Sequence, residues 1–129
     1  MKTTETGIYK TTYELSELVV RLSRHFPKDL KPAIGQRLID TCVEMVVKVY
    51  RANAARKGRA EIVEQMLEDL QVVELLVRLC SDQHLISRKQ HAQAAELTDS
   101  IGRQGYRWMQ DAKHRQARHP VNSRHGQNG

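Results

Sequence analysis

The sequence predicts an all-α domain, an up-down-up-down bundle of four helices. Only seven of its 129 residues are glycine and three are proline, while 40% are hydrophobic, a composition typical of compact helical domains. The apolar residues recur at the helical period in four segments separated by short connections, which force neighbouring helices to run antiparallel. We therefore expect an N-terminal arm at 1–8, the bundle at 9–118 and a disordered polar tail at 119–129.

The first helix is predicted from about Tyr9 or Thr11 to Arg24. Thr11 and Glu14 have the spacing of a capping box, and Pro27 disfavours helical geometry in the residue before it. The apolar face of this helix comprises Leu15, Leu18, Val19, Leu22 and Phe26.

The second helix is predicted to begin between Lys28 and Pro32, because proline is tolerated in a first turn, and to continue to about Arg56. Its main apolar row comprises Ile34, Leu38, Cys42, Met45, Val46 and Val49. A second row comprises Ile39, Val43, Val47 and Tyr50. An apolar arc of this width exceeds what one bundle seam needs and indicates burial on two sides.

Gly58 suits a left-handed cap at the end of helix two, and helix three is predicted over about 59–82. Ser87 and Gln90 form a second capping-box pattern, which opens a fourth helix that continues to about Arg115. The outer face of helix three carries Glu61, Glu64, Glu68 and Asp69, a pattern usually found on a solvated face.

Three glycines fall inside predicted helices, at Gly35, Gly102 and Gly105. Each costs about 1 kcal/mol relative to alanine in a helix interior, so we expect close backbone approach to compensate. The alternative is that the last two simply weaken or kink helix four.

Positive charge is concentrated in two parts of the chain, whose net charge is +6. The chain from Ile101 onward contains six Lys and Arg residues and a single acidic residue, Asp111. The segment between Met45 and Ala60 contains no acidic residue. The antiparallel register brings both blocks to the same end of the bundle, where they are either a solubilising surface or a nucleic-acid-binding surface. The candidate phosphate-binding residues are Lys48, Arg51, Arg56, Lys57, Arg59, Arg107, Lys113 and Arg115.

The same end also holds most of the aromatic residues of the chain. Cations interleaved with aromatic rings can form a platform on which bases stack. The competing interpretation is an aromatic core layer, in which a tryptophan indole would need a hydrogen-bond partner. The residues concerned are Tyr9, Tyr13, Tyr50, Tyr106 and Trp108.

No catalytic pattern is present: the sequence has no phosphate loop, no G-x-S-x-G, no H-E-x-x-H and no C-x-x-C. The histidines lack the carboxylate spacing of a metal site, so we expect neither an enzyme nor a cofactor. Asp40 and Glu44 are one turn apart, but Arg37 and Lys48 bracket them, which predicts an ion-pair ladder.

The chain has two cysteines, Cys42 and Cys80, and each lies in an apolar row. Two cysteines are too few for a disulfide scaffold, which favours a reducing, cytoplasmic compartment. No signal peptide or membrane span is visible in the sequence.

Four short motifs suggest a family. FPK at 26–28, IGQRL at 34–38, DLQVVELLVRLCSDQHLIS at 69–87 and IGRQGYRW at 101–108 resemble the accessory variability determinant (Avd) proteins of diversity-generating retroelements. The resemblance covers about residues 9–109 and extends to a related bundle family encoded in intervening sequences of bacterial 23S ribosomal RNA genes. GYRW departs from the more usual double glycine before tryptophan, which puts close packing at residue 106 in doubt.

The resemblance implies a homopentameric barrel without an active site, which binds RNA and DNA and the reverse transcriptase of its element. We place the subunit interface on the second row of helix two, with Arg37 either at a subunit boundary or the barrel lumen, or simply in the ladder with Asp40. The predicted interface residues are Arg37, Ile39, Val43, Val47 and Tyr50. The alternative function is an oligomeric interaction bundle whose basic end contacts an acidic protein.

Overall fold

The structure, a computed structural model, describes residues 3–118 and confirms the four-helix bundle. Helix α1 spans Thr3–Ser23, α2 spans Gln36–Ala54, α3 spans Arg59–Asp82 and α4 spans Arg88–Arg118, with a π-helical turn at Lys31–Gly35 before α2. Each helix packs against the next, and α4 also packs against α1, which closes the bundle. Within the described range every helix is too short or too polar to span a bilayer.

The core is formed by one buried row from each helix, because apolar residues three and four apart share a helix face. The main rows predicted for the first two helices supply much of it, together with one row each of α3 and α4. Its members include Leu15, Val19 and Leu22 of α1, Leu38, Cys42, Met45 and Val49 of α2, Met66, Leu70, Val73, Val77 and Cys80 of α3, and Ala94, Ile101 and Trp108 of α4.

Helix α1 starts earlier than the sequence predicted. It begins at Thr3, so residues 3–8 of the predicted arm form its first turns, and Ile8 is buried in the core. The Thr11 hydroxyl donates a hydrogen bond to the carbonyl of Gly7, 2.9 Å away. Thr11 is therefore inside the helix and does not cap it; hydroxyls often bond back to the preceding turn in this way. The predicted tail at 119–129 lies outside the described residues.

The turn before α2 is wound more loosely than an α-helix. The Gly35 amide donates to the carbonyl of Leu30, five residues earlier, at 3.2 Å, which is the π-helical pattern. Pro32 lies in this first turn, as predicted. A Cβ on Gly35 would lie 3.3 Å from the Cβ of Ser23, so the close approach expected at this glycine is confirmed.

The two other connections follow the predicted turn chemistry. Gly58 adopts a left-handed conformation with φ of +72°, directly before α3. At the start of α4 the Gln90 amide donates to the Ser87 hydroxyl at 3.1 Å, and the Ser87 amide donates to the Gln90 side-chain oxygen at 2.8 Å. This reciprocal pair confirms the predicted capping box.

The two glycines of α4 differ in their surroundings. A Cβ on Gly105 would lie 2.8 Å from Leu67 Cδ2 and 2.9 Å from Met66 Cε, which confirms close packing against α3. A Cβ on Gly102 would meet only Leu70 Cδ2, at an ordinary 3.6 Å. The expectation of a tight contact at Gly102 is therefore wrong, because the two helices leave room there for an alanine.

Candidate nucleic-acid interface

Two side-chain pairs show where the predicted cations lie. Lys48 of α2 meets Asp69, and Lys113 of α4 meets Glu64, so both lysines flank the first half of α3. Because α2 and α4 both run towards that end, their last turns lie on either side of the start of α3. The two basic blocks of the sequence therefore share one end of the bundle.

Lys48 is held inside the bundle by an ion pair. Its Nζ lies 2.6 Å from Asp69 Oδ2, and the two side chains are only 19% and 22% exposed. Its charge is thus balanced within the chain, and it joins α2 to α3. The predicted ladder along α2 is wrong, because Lys48 reaches α3 and Asp40 accepts its hydrogen bond from Gln36, at 2.8 Å.

Arg59 caps the end of α2. Its Nε donates to the carbonyl of Ala52 at 2.8 Å, and its Nη2 donates to the carbonyl of Ala55 at 2.9 Å. The last carbonyls of a helix have no partner within the helix, and a cation there also interacts favourably with the helix dipole. Any phosphate bound by Arg59 would compete with this cap.

The other predicted cations are exposed. Arg51, Arg56 and Lys57, which we call the α2 basic sector, lie in the last turn of α2 and the loop after it. Arg103, Arg107 and Arg115, the α4 basic sector, lie along the outer part of α4. Arg103 was not among the predicted site residues, although its position one turn before Arg107 could have indicated it.

An acidic row separates these two sectors. Glu61, Glu64 and Glu68 are exposed on α3, the helix that lies between α2 and α4. Lys113 Nζ is 3.8 Å from Glu64 Oε2, and because both side chains are more than half exposed this pair contributes little stability. The sequence pattern predicted only that this acidic row is solvated. Its position in the structure also divides the basic end of the bundle into two surfaces.

The aromatic residues are divided between the core and the surface. Trp108 is buried in the core, and Tyr9 is half-buried with its ring stacked on Tyr13 at 6.3 Å between centroids. Tyr13, Tyr50 and Tyr106 remain exposed. A core layer and exposed rings thus coexist at this end.

The second row of α2 forms an exposed apolar stripe, comprising Val43, Val47 and Tyr50, which are 48%, 43% and 65% exposed. Ile39 beside it is half-buried, and Arg37 is exposed on the same helix. A second apolar patch, which the sequence analysis missed, consists of Leu75 and Leu79 on α3. Both leucines lie outside the buried row of α3, which is the pattern that could have indicated them.

Three titratable groups have raised pKa values, two of them thiols in the core. Burial raises the pKa of the Cys42 thiol to about 12 and also raises the pKa of Cys80, so both thiols stay protonated at neutral pH. Partial burial, with a smaller contribution from the charge of Asp99, raises the pKa of Glu74 on the surface. Among the described residues no group of three His, Cys, Asp or Glu side chains could hold a metal ion.

Comparison with known proteins identifies the family. The profile of the bAvd-like family matches residues 8–112, which is most of the bundle. The chain belongs to the bAvd-like family. No curated protein matches the chain significantly.

A solved structure shares the fold of this bAvd-like chain. It is the crystal structure of a protein of unknown function from the S23 ribosomal protein family of Bacteroides thetaiotaomicron, with a TM-score of 0.76 over 84% of this chain and 99% of that chain. At 12% sequence identity the similarity concerns the bundle alone.

Proposed function

We propose that this protein is a non-catalytic accessory subunit that binds nucleic acid and the reverse transcriptase of a diversity-generating retroelement. It would hold template RNA and cDNA while the polymerase performs the chemistry. Membership of the bAvd-like family supports the class of function. The observation that carries the binding role is the pair of exposed basic sectors at one end of the bundle.

The α2 basic sector provides the sharpest test of nucleic-acid binding. Arg51, Arg56 and Lys57 have side chains free of the structural roles of Lys48 and Arg59, so their replacement by alanine leaves the fold intact. Each phosphate contact contributes about 0.9 log units of affinity per log unit of salt on duplex DNA. We expect the triple variant to lose affinity for all sequences alike and to flatten the salt dependence by about two to three units.

A matched control removes three exposed cations from the opposite end of the bundle. Arg24, Lys28 and Lys31 lie at and beyond the end of α1, and their replacement by alanine changes the net charge by the same amount. We expect this control to bind with nearly the wild-type salt slope, measured by fluorescence anisotropy. Equal losses in both variants would show that net charge alone governs binding and would refute a localised surface.

The exposed apolar stripe on α2 supports self-association. Soluble monomers rarely expose a contiguous apolar surface, and a chain with two different patches, such as the stripe and the Leu75–Leu79 patch, can make head-to-tail contacts that close into a ring. We therefore propose the homopentamer, with a mass of about 74 kDa for five chains of 14.8 kDa. Light scattering after size exclusion measures this mass directly.

The stripe itself is tested by charge insertion. Glutamate at both Val43 and Val47 should reduce the mass to that of the monomer without unfolding it, because both positions are exposed in the single chain. Glutamate at Ala92 and Gln93, exposed positions on α4, adds similar charge outside the apolar patches and should leave the mass unchanged. Loss of assembly in both variants would contradict an interface on the stripe.

The second candidate function is an interaction bundle that contacts an acidic protein. The division of the basic end by the acidic row on α3 favours it, because a compact acidic protein needs only one basic sector, whereas an extended nucleic-acid backbone needs a continuous basic surface. Co-purification with the reverse transcriptase of a diversity-generating retroelement separates the two functions. A triple α2-sector variant that loses the polymerase but keeps its affinity for nucleic acid would favour the interaction bundle.

A further inference from the structure

Tyr106 is an exposed aromatic ring that neither the core nor the apolar stripe explains. It lies on α4 and is 57% exposed, whereas the stripe of Val43, Val47 and Tyr50 lies on α2. Arg103 is one turn before it, Gln110 is one turn after it, and Arg107 follows it directly; all three are exposed. The tyrosine therefore lies within the α4 basic sector.

The helical turn that precedes Tyr106 leaves the tyrosine ring accessible. Side chains on a helix lean over the preceding turn, which for Tyr106 contains Gly102 and Arg103. Gly102 adds no side chain beside the ring, although packing would allow one, because its Cβ would be 3.6 Å from Leu70 Cδ2. Tyr106 is accordingly 57% exposed, in a part of α4 that also carries Arg103.

An exposed ring between cations matches the chemistry of unpaired nucleotides. Each base offers a π-face that stacks on an aromatic side chain whatever its sequence, while nearby cations hold the phosphates. In a duplex the base faces are covered by neighbouring base pairs, so a surface ring gains little there. The acidic row on α3 would also repel phosphates, which leaves the outer face of α4 as the path of the strand.

We infer that Tyr106 stacks on unpaired bases and that the α4 basic sector thereby prefers single-stranded RNA or DNA over duplex. This inference rests on the proposed nucleic-acid binding and adds the class of ligand and the residue that recognises it. The occupant is a nucleic acid because the ring is flanked by Arg103 and Arg107. A protein partner at the same ring is one outcome of the test.

The experiment measures binding of the full chain to a labelled uridine oligonucleotide, a thymidine oligonucleotide and a duplex of equal length at one fixed salt concentration. The variants are Tyr106→Leu, which keeps apolar bulk without a ring, and Tyr106→Phe, which keeps the ring. Helical content and oligomer mass are compared for every variant.

We expect Tyr106→Leu to weaken binding of both single strands about fivefold or more, from the roughly 1–3 kcal/mol that stacking contributes per base. The duplex affinity of Tyr106→Leu, and the affinity of Tyr106→Phe for every ligand, should stay within about twofold of the wild type. If Tyr106→Leu loses the same affinity for duplex and single strands, or loses affinity for neither, the stacking role is refuted. The proposed function still stands in that case if the triple alanine variant of the α2 basic sector binds nucleic acid more weakly than the wild type. A wild-type protein that binds no nucleic acid at low salt would refute both the stacking role and the proposed nucleic-acid binding. If Tyr106→Leu loses only its binding to the polymerase, the ring contacts a protein.

Discussion

Replacement of the two glycines of α4 by alanine should change stability in opposite directions. Alanine is favoured over glycine in a helix interior by about 1 kcal/mol, and this gain applies equally to Gly102 and Gly105. At Gly102 the added methyl meets Leu70 at an ordinary 3.6 Å, so nothing offsets the gain. We expect Gly102→Ala to raise the free energy of unfolding by about 0.5–1 kcal/mol.

At Gly105 the added methyl would collide with two side chains of α3. The distances of 2.8 Å to Leu67 Cδ2 and 2.9 Å to Met66 Cε are shorter than carbon atoms tolerate, so both side chains must move. Overpacking of a core costs about 1–3 kcal/mol, and Met66 is buried with little space to move into. After the helix-propensity gain, Gly105→Ala should be destabilised by up to about 2 kcal/mol.

Urea unfolding followed by circular dichroism, at one protein concentration for all variants, measures both changes. Truncation of Leu67 to alanine removes one of the two colliding carbons, so Gly105→Ala should cost less in that background than in the wild type. If Gly105→Ala is as stable as Gly102→Ala, the tips of Met66 and Leu67 move freely. Close helix approach would then not explain the glycine at 105.

Three further predictions concern the helix ends and the core. Arg59→Ala should lower the free energy of unfolding by about 1.5–3 kcal/mol, because it leaves the carbonyls of Ala52 and Ala55 without their charged donor, and Arg59→Lys should recover only part of the loss in the same urea assay. Ser87→Ala should cost about 1 kcal/mol through loss of the α4 cap, and an unchanged thermal midpoint would contradict a structural role for that cap. Burial holds the folded pKa of Cys42 at about 12 against 9.0 when exposed, so the unfolded chain releases this proton first and stability falls as pH rises from about 9 towards 12. Between pH 8 and 10 the wild type should therefore lose about 1.4 kcal/mol more than Cys42→Ala, and equal losses would show that the thiol is not shielded from water.

The positions of the helices could be predicted because their signals are local. The apolar period placed the buried rows, and the Ser87–Gln90 pair marked the start of α4 in advance. Gly58 is left-handed as predicted, but it is the N-cap of α3, whereas Ala55 is the C-cap of α2. The predicted start of α1 was wrong because Thr11, which has capping-box spacing with Glu14, looks like a cap residue in the sequence. In the structure the Thr11 hydroxyl bonds within the helix instead.

The roles of individual cations could not be predicted, because they depend on which groups the folded chain brings within reach. Lys48 was assigned to phosphate and to an ion pair with Glu44, but the carboxylate it meets is that of Asp69, on the next helix. Arg59 looks like any other basic residue of its block, yet α2 ends close enough for its guanidinium to bind backbone carbonyls. The apolar period predicts on which face of a helix a residue lies, but it does not predict which group the side chain of that residue contacts.

Helix α2 separates its roles by face, and this separation makes the proposals independently testable. Its buried row contributes to the core, Lys48 is joined to α3, and Val43 and Val47 remain exposed on a further face. Arg51 lies in the last turn, beyond these groups. A charge placed at Val43 should therefore change assembly without a direct effect on phosphate contacts, and alanine at Arg51 should do the reverse. If nucleic-acid affinity nevertheless falls whenever assembly is lost, the binding surface must combine basic sectors from several subunits, since one bundle then offers too few phosphate contacts by itself.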